Sequence, residues 1–236
     1  MQSPIINTVK GGIYVMNLES AYTILDTISV KENLNETDIS QIIELTHHEE
    51  AEIRAYAAEI LVCGGTKNGE EALIRLCKDK DELVRVNACD SLSAYADEPA
   101  YEALLYSALH DDSVLVKEYA LLSLGDMAGK TAIDESGLRK VFIKLSEKQN
   151  LRIAAACFRG LCLLGETSHL QDLLQLFKCA DYQEQCTMIR MLEDVITPST
   201  QASVIQALTN LQKSKLDSVV ISEIDRLLEK LKHKNS

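Results

Sequence analysis

The sequence predicts an all-α solenoid built from stacked helix pairs, and three observations carry that expectation. The first is a motif that returns at a fixed interval: an acidic or small polar residue, an aliphatic-cation pair, Ala three residues past the cation and Leu seven past it. It reads Glu50, Ile53-Arg54, Ala57 and Leu61, then Asp81, Val84-Arg85, Ala88 and Leu92, then Ser113, Val116-Lys117, Ala120 and Leu124. The cations stand 31 and then 32 residues apart, a period in the range of helical repeats. The second observation is apolar spacing at the 3.6-residue helical period through most of the chain. The third is composition: hydrophobic residues make up 46%, Trp is absent and Phe occurs three times. The core must therefore be aliphatic, as close-packed helices require.

Residues 1 to 16 hold Pro4 and Gly11-Gly12 without a helical period, so a loose or extended lead-in is expected there. Residues 17–46 form a degenerate first pair: Leu18, Ala21, Tyr22, Leu25 and Ile28 mark one helix. A polar break over 31–37 precedes Ile39, Ile42, Ile43 and Leu45 of the second. Such a pair caps one end of the array, where no neighbour covers the outer face. The repeats proper occupy 50–212. In the first of them the helices span 50–63 and 68–78, separated by Gly64-Gly65, which suits a helix end needing positive φ. The next runs over 81–96 and 99–110. Pro99 falls at the helix start, where a missing N–H breaks no bond, and Asp81 and Ser113 are placed to cap the first helices of their repeats.

The following pairs cover 113–127 with 136–145, 150–164 with 168–179, and 182–196 with 199–212. The motif drifts in the second of these, because Leu151-Arg152 is followed by Ala155 but Arg159 stands where Leu belongs. A last helix over 216–232 carries Val220, Ile224, Leu227, Leu228 and Leu231 on a single stripe and closes the far end. The whole of 17–236 reads as one repeat array of about six helix pairs.

A formal charge of −12 with a pI near 4.9 disfavours phosphate backbones and anionic membranes, since binding either needs cationic patches. It favours a basic protein partner. Seven cysteines, Cys63, Cys77, Cys89, Cys157, Cys162, Cys179 and Cys186, form no Cys-x-x-Cys pair and mostly occupy small apolar positions. They read as reduced, core or partly buried thiols. With no membrane-spanning stretch and no leader pattern, a cytoplasmic location is expected.

The order of acid, aliphatic-Arg, Ala, Leu, Gly, a short turn and an apolar second helix ending in Lys-Asp or His-Asp resembles the HEAT-like repeats of the phycobilisome-lyase type. Residues 50–79, 81–111 and 113–125 carry the likeness best. The resemblance implies a right-handed superhelix of antiparallel helix pairs, first helices outside and second helices lining a concave face. It makes Arg54, Arg85 and Lys117 structural cations that reach acids in the turn of their own or the next repeat.

Candidate chemistry is sparse. His47-His48-Glu49-Glu50 is the one cluster of metal-ligand residue types, and it resembles the His-Glu pairs of deoxyhypusine hydroxylases. Coordination needs three or four convergent ligands from more than one such pair, so no metal or other cofactor is assigned. An alkylated-base DNA glycosylase on this fold would present a basic face, which an acidic chain without Trp does not supply. No phosphate loop or nucleophile motif occurs. The sequence thus points to a non-catalytic scaffold, with a bilin-lyase-like subunit, a metal hydroxylase or a base glycosylase as the enzymatic alternatives. Second-helix positions outside the core stripe nominate a protein-binding face: Glu70, Glu71, Arg75, Glu102, Tyr106, Arg139, Lys140, Gln171, Gln175, Gln206 and Asn210. Tyr106 is its foremost anchor, because interface hot spots favour Tyr and Arg.

Overall fold

The computed structural model describes residues 8–10, 13–130, 133–147 and 150–233. It divides into two units, 1–133 and 134–236, within the stretch for which the sequence anticipates one array.

The first unit begins with a two-stranded antiparallel ribbon, β1 (Thr8–Lys10) and β2 (Ile13–Val15), with Val9 opposite Tyr14. Part of the expected loose lead-in is therefore paired. Seven helices follow: α1 (Leu18–Ser29), α2 (Glu36–Leu45), α3 (Ala51–Leu61), α4 (Lys67–Leu76), α5 (Glu82–Leu92), α6 (Glu98–His110) and α7 (Val114–Asp126). Their starts are written in the caps. Asn17, Thr66, Asp81, Asp97 and Ser113 each accept an orphan N–H of the first turn. α2 begins inside the expected polar break because Asn35 and Asp38 form a reciprocal capping box. At the end of the α3 turn Gly65 takes φ +55°, a conformation that costs a residue with Cβ.

Two layers result. α1, α3, α5 and α7 pack side by side, and α2, α4 and α6 form the second row. The repeated Ala57, Ala88 and Ala120 and the repeated Leu61, Leu92 and Leu124 have no solvent exposure. The small residues let neighbouring helices approach and the leucines fill the space between layers. Polar bonds between neighbouring first helices fix their register: the Tyr22 hydroxyl donates to Glu52 at 2.9 Å, the Tyr56 hydroxyl to Asp26 at 3.0 Å, and Asn87 to the Ala55 carbonyl at 3.1 Å.

The second unit holds α8 (Glu135–Ser146), α9 (Leu151–Leu163), α10 (Leu170–Leu176), α11 (Tyr182–Val195), α12 (Gln201–Leu211) and α13 (Ser218–His233). A 3₁₀ turn over Thr167–His169 leads into α10, so that helix is shorter than the predicted 168–179. α9, α11 and α13 lie in one row. The drift of the motif has a packing cause: Phe142 of α8 is fully buried against Gly160 of α9, where a Cβ would come within 2.5 Å of the ring. Arg159, in the place of the expected Leu, is 7% exposed and donates from Nε to Asp194 at 2.9 Å. Of the cysteines, Cys63 and Cys179 are exposed rather than in the core; Cys77, Cys89, Cys157 and Cys162 are buried and Cys186 is half-buried. No helix among the described residues is long and apolar enough to cross a membrane.

Candidate functional site

The frame of the first unit is set by two arginines in the second turns of their helices. Arg54 on α3 donates from Nε and Nη2 to the two oxygens of Asp79, both at 2.8 Å, and from Nη1 to the carbonyls of His48 and Glu49. Arg85 on α5 repeats this with Asp111 and with the carbonyls of Asp79 and Lys80. Asp79 and Asp111 follow the ends of α4 and α6, so each pair closes a hairpin in which the second helix runs back antiparallel to the first. Burial pushes the Asp79 carboxyl up, but the Arg54 fork, the Asp81 N–H and the guanidinium charge outweigh it and hold the group below its ordinary 3.8. Lys117, the third cation of the series, forms no such ion pair among the described residues. A planar fork meets a carboxylate and two carbonyls together, and an ammonium does not reproduce that geometry.

The four candidate metal ligands do not form a ligand set. His47 is exposed, whereas His48 is 9% exposed. Its Nδ1 accepts from the Glu50 N–H at 3.1 Å, which leaves Nε2 as the donor to the Met16 carbonyl at 2.9 Å. Both ring nitrogens thus serve to tie the segment before α1 to the start of α3. Among the described residues no group of three His, Cys, Asp or Glu side chains is disposed to hold a metal.

The predicted face is only partly a surface. Glu71, Arg75, Glu102 and Tyr106 are exposed on α4 and α6, with Tyr106 at 59%. Glu70 is 4% exposed and is withdrawn from the face. Burial, then a hydrogen bond and charge repulsion from Asp97, the cap of α6, raise its carboxyl to about 7. The turn after α5 covers it: Tyr95 donates to the Leu61 carbonyl at 2.9 Å and lies where a Cβ on Gly69 would come within 2.7 Å of its hydroxyl. Burial raises the Tyr95 phenol to about 12.

Lys140 is exposed, but Arg139 is half-buried and bound within its own unit. It donates to Glu166 at 2.9 Å, to the Leu164 carbonyl at 2.8 Å and to Glu135 at 3.3 Å, holding the end of α9 against the start of α8. Gln171, Gln175 and Asn210 do come together: they line a 320 Å³ cavity with Leu174, Ala207 and Leu211 of α10 and α12. Gln206 lies one turn away and donates to Asn210 at 3.3 Å.

Residue-by-residue reading overlooked the cations that follow α4. Lys78 stands 6.0 Å over the Tyr106 ring, and the ring centroid of His110 is 4.9 Å from that of Tyr106. A 550 Å³ cavity lined by His47, Arg75, Lys78 and Lys80 lies beside them. The available signal was the cation series Arg75, Lys78, Lys80 closing a helix, favourable at a C-terminus in any case.

The family model for HEAT repeats matches residues 39–125. A search of curated proteins returns no match. Among solved structures, the complex of CpcE and CpcF of phycocyanin lyase from Nostoc sp. PCC7120 aligns over 91% of this chain and 90% of the matched chain, with 18% identity and a TM-score of 0.61. An engineered protein aligns over 85% of this chain and 98% of its own, with 21% identity and a TM-score of 0.45. Human deoxyhypusine hydroxylase in complex with glycerol aligns over 91% and 96%, with 14% identity and a TM-score of 0.41. The recurring motif, the two rows of helices with their arginine clamps and the likeness to the lyase chain agree on an all-α helical-repeat fold, and residues 39–125 of the chain match HEAT repeats.

Proposed function

We propose that this protein is a non-catalytic scaffold that binds another protein through the second-helix face of its first unit, as an adaptor or an inhibitor. The observation that carries the reading is Tyr106, a large aromatic left 59% exposed beside Lys78 and His110. An exposed ring braced by two neighbours loses little freedom on binding, which is what an interface anchor needs. The polar groups with side chains capable of chemistry support the same reading, because His48, Arg54, Arg85 and Arg139 are occupied in holding helices together. The solved chain of similar fold comes from a complex of two proteins, in keeping with a protein partner. The charge of −12 favours a partner with a basic surface, since net charge steers encounter at long range; an immunity-type protein against a basic toxin is one concrete form.

The test is affinity capture from the protein's own cells at low and moderate salt, run in parallel with Tyr106→Ala and Glu102→Lys. One basic protein released by salt and lost in both variants is the expected result. A partner retained by both variants, or recovery of no protein by the wild type, overturns the reading.

A further inference from the structure

We infer that the cavity between the end of α2 and the end of α4 is a docking site for a short acidic segment of a partner protein. The inference rests on the scaffold reading of this unit and gives the site a ligand chemistry opposite to that suggested by net charge. Four cations, Arg54, Arg75, Lys78 and Lys80, line the 550 Å³ cavity against two carboxylates, Glu49 and Asp79. Of these, Arg54 and Asp79 neutralise each other through their bidentate pair. Arg75, Lys78 and Lys80 have no carboxylate within ion-pair distance among the described residues. In a chain with 36 acidic and 24 basic side chains, three such cations around one cavity mark a local reversal of charge.

The site is also built. Thr46, 2% exposed at the end of α2, gives its hydroxyl proton to the Ile43 carbonyl at 2.6 Å and accepts Nη2 of Arg75 at 2.6 Å. Arg75 is thereby tied across two helices while it lines the cavity, and a guanidinium is suited to taking a carboxylate side by side. Lys78 and Lys80 are exposed and supply further positive charge, and Lys78 stands over the exposed Tyr106 ring. The volume falls in the range of ligand-sized clefts. Net charge does not veto this, because beyond a Debye length of about 8 Å at physiological salt the rest of the surface is screened.

The test is fluorescence anisotropy with three probes: a labelled, capped peptide of about ten glutamates, the matching lysine peptide, and inorganic phosphate as competitor, at about 50 and 300 mM salt. The glutamate peptide should bind at low salt despite the acidity of the protein. Arg75→Ala combined with Lys78→Ala should weaken it about tenfold or more, as loss of paired charge contacts does. Lys213→Ala combined with Lys215→Ala, which removes the same charge elsewhere, should leave it within about twofold. Circular dichroism should match wild type in both, since all four side chains are exposed. Preference for the lysine peptide, equal weakening in the two double variants, or displacement by stoichiometric phosphate would overturn the inference. If the cell-extract capture fails while the glutamate peptide binds as described, the scaffold reading falls and the site stands; the converse removes the site alone.

Discussion

Arg54 and Asp79, 25 residues apart, meet through two parallel hydrogen bonds of 2.8 Å, with side chains 7% and 12% exposed. One guanidinium therefore joins the start of α3, the turn before it and a residue that follows the end of α4. Asp79 in turn accepts the Asp81 N–H at 2.9 Å, so the same carboxylate organises the entry to the next repeat. The pairing recurs at Arg85 and Asp111, 26 residues apart, where Ser113 donates its N–H.

Arg54→Ala is expected to destabilise the protein by about 3–5 kcal/mol, the cost of leaving a buried carboxylate unpaired. Arg54→Lys keeps the charge without the fork and should fall between wild type and Ala. Urea denaturation measures both. A midpoint for Arg54→Ala within error of wild type would show that packing alone holds the hairpin closed.

Glu70 gives a pH dependence of defined sign. Its folded-state carboxyl is raised from 4.5 to about 7, so between those values the folded state binds more proton than the unfolded chain. Its contribution is fully present below pH 4.5 and is lost as pH rises through about 7. Glu70→Gln should flatten that part of the stability profile and raise stability at pH 8 by on the order of 1–3 kcal/mol. Thermal melts from pH 4.5 to 8 are the measurement; an unchanged slope would mean that Glu70 is ionised in its burial site.

Gly160→Ala places a Cβ within 2.5 Å of the fully buried Phe142 ring. Overpacking of this kind costs about 1–3 kcal/mol, and Phe142→Leu should recover part of the loss in the double variant by opening the space. Additive losses in the double-mutant cycle would exclude the contact as the cause.

Tyr106→Ala should change stability by no more than about 0.5 kcal/mol, because the ring is largely outside the core. Its loss is expected to appear in partner capture instead. A large drop in the urea midpoint would make Tyr106 a structural residue and take it off the binding face.

How far the candidate site was legible differs between residues on a helix centre line and those at its margin. Tyr106 and Glu102 sit squarely on the outer side of α6, and helical spacing placed them correctly as exposed. Glu70 sits at the margin of α4, and its fate is decided by Tyr95 and Asp97 from the next repeat. Arg139 was nominated as a second-helix position outside the core stripe, yet the carboxylate of Glu166 and a carbonyl 25 residues on claim it. His48 looked like a ligand beside Glu49, but its nitrogens answer to Met16 and Glu50.

By itself the sequence determined the all-α repeat architecture. Period, apolar stripe, Asp81 and Ser113 caps, and the positive φ at Gly65 are local properties, set by sterics and hydrogen bonding within a few residues. Only the tertiary structure decided which charged side chains are surface and which are frame. The long-range partners of Arg54, Arg85, Arg139 and Glu70 come from residues 25 to 27 positions away, and whether a marginal position is covered depends on the neighbouring helix pair. It also brought Arg75, Lys78 and Lys80 around one cavity with the end of α2, a gathering of charge that composition conceals beneath a net of −12.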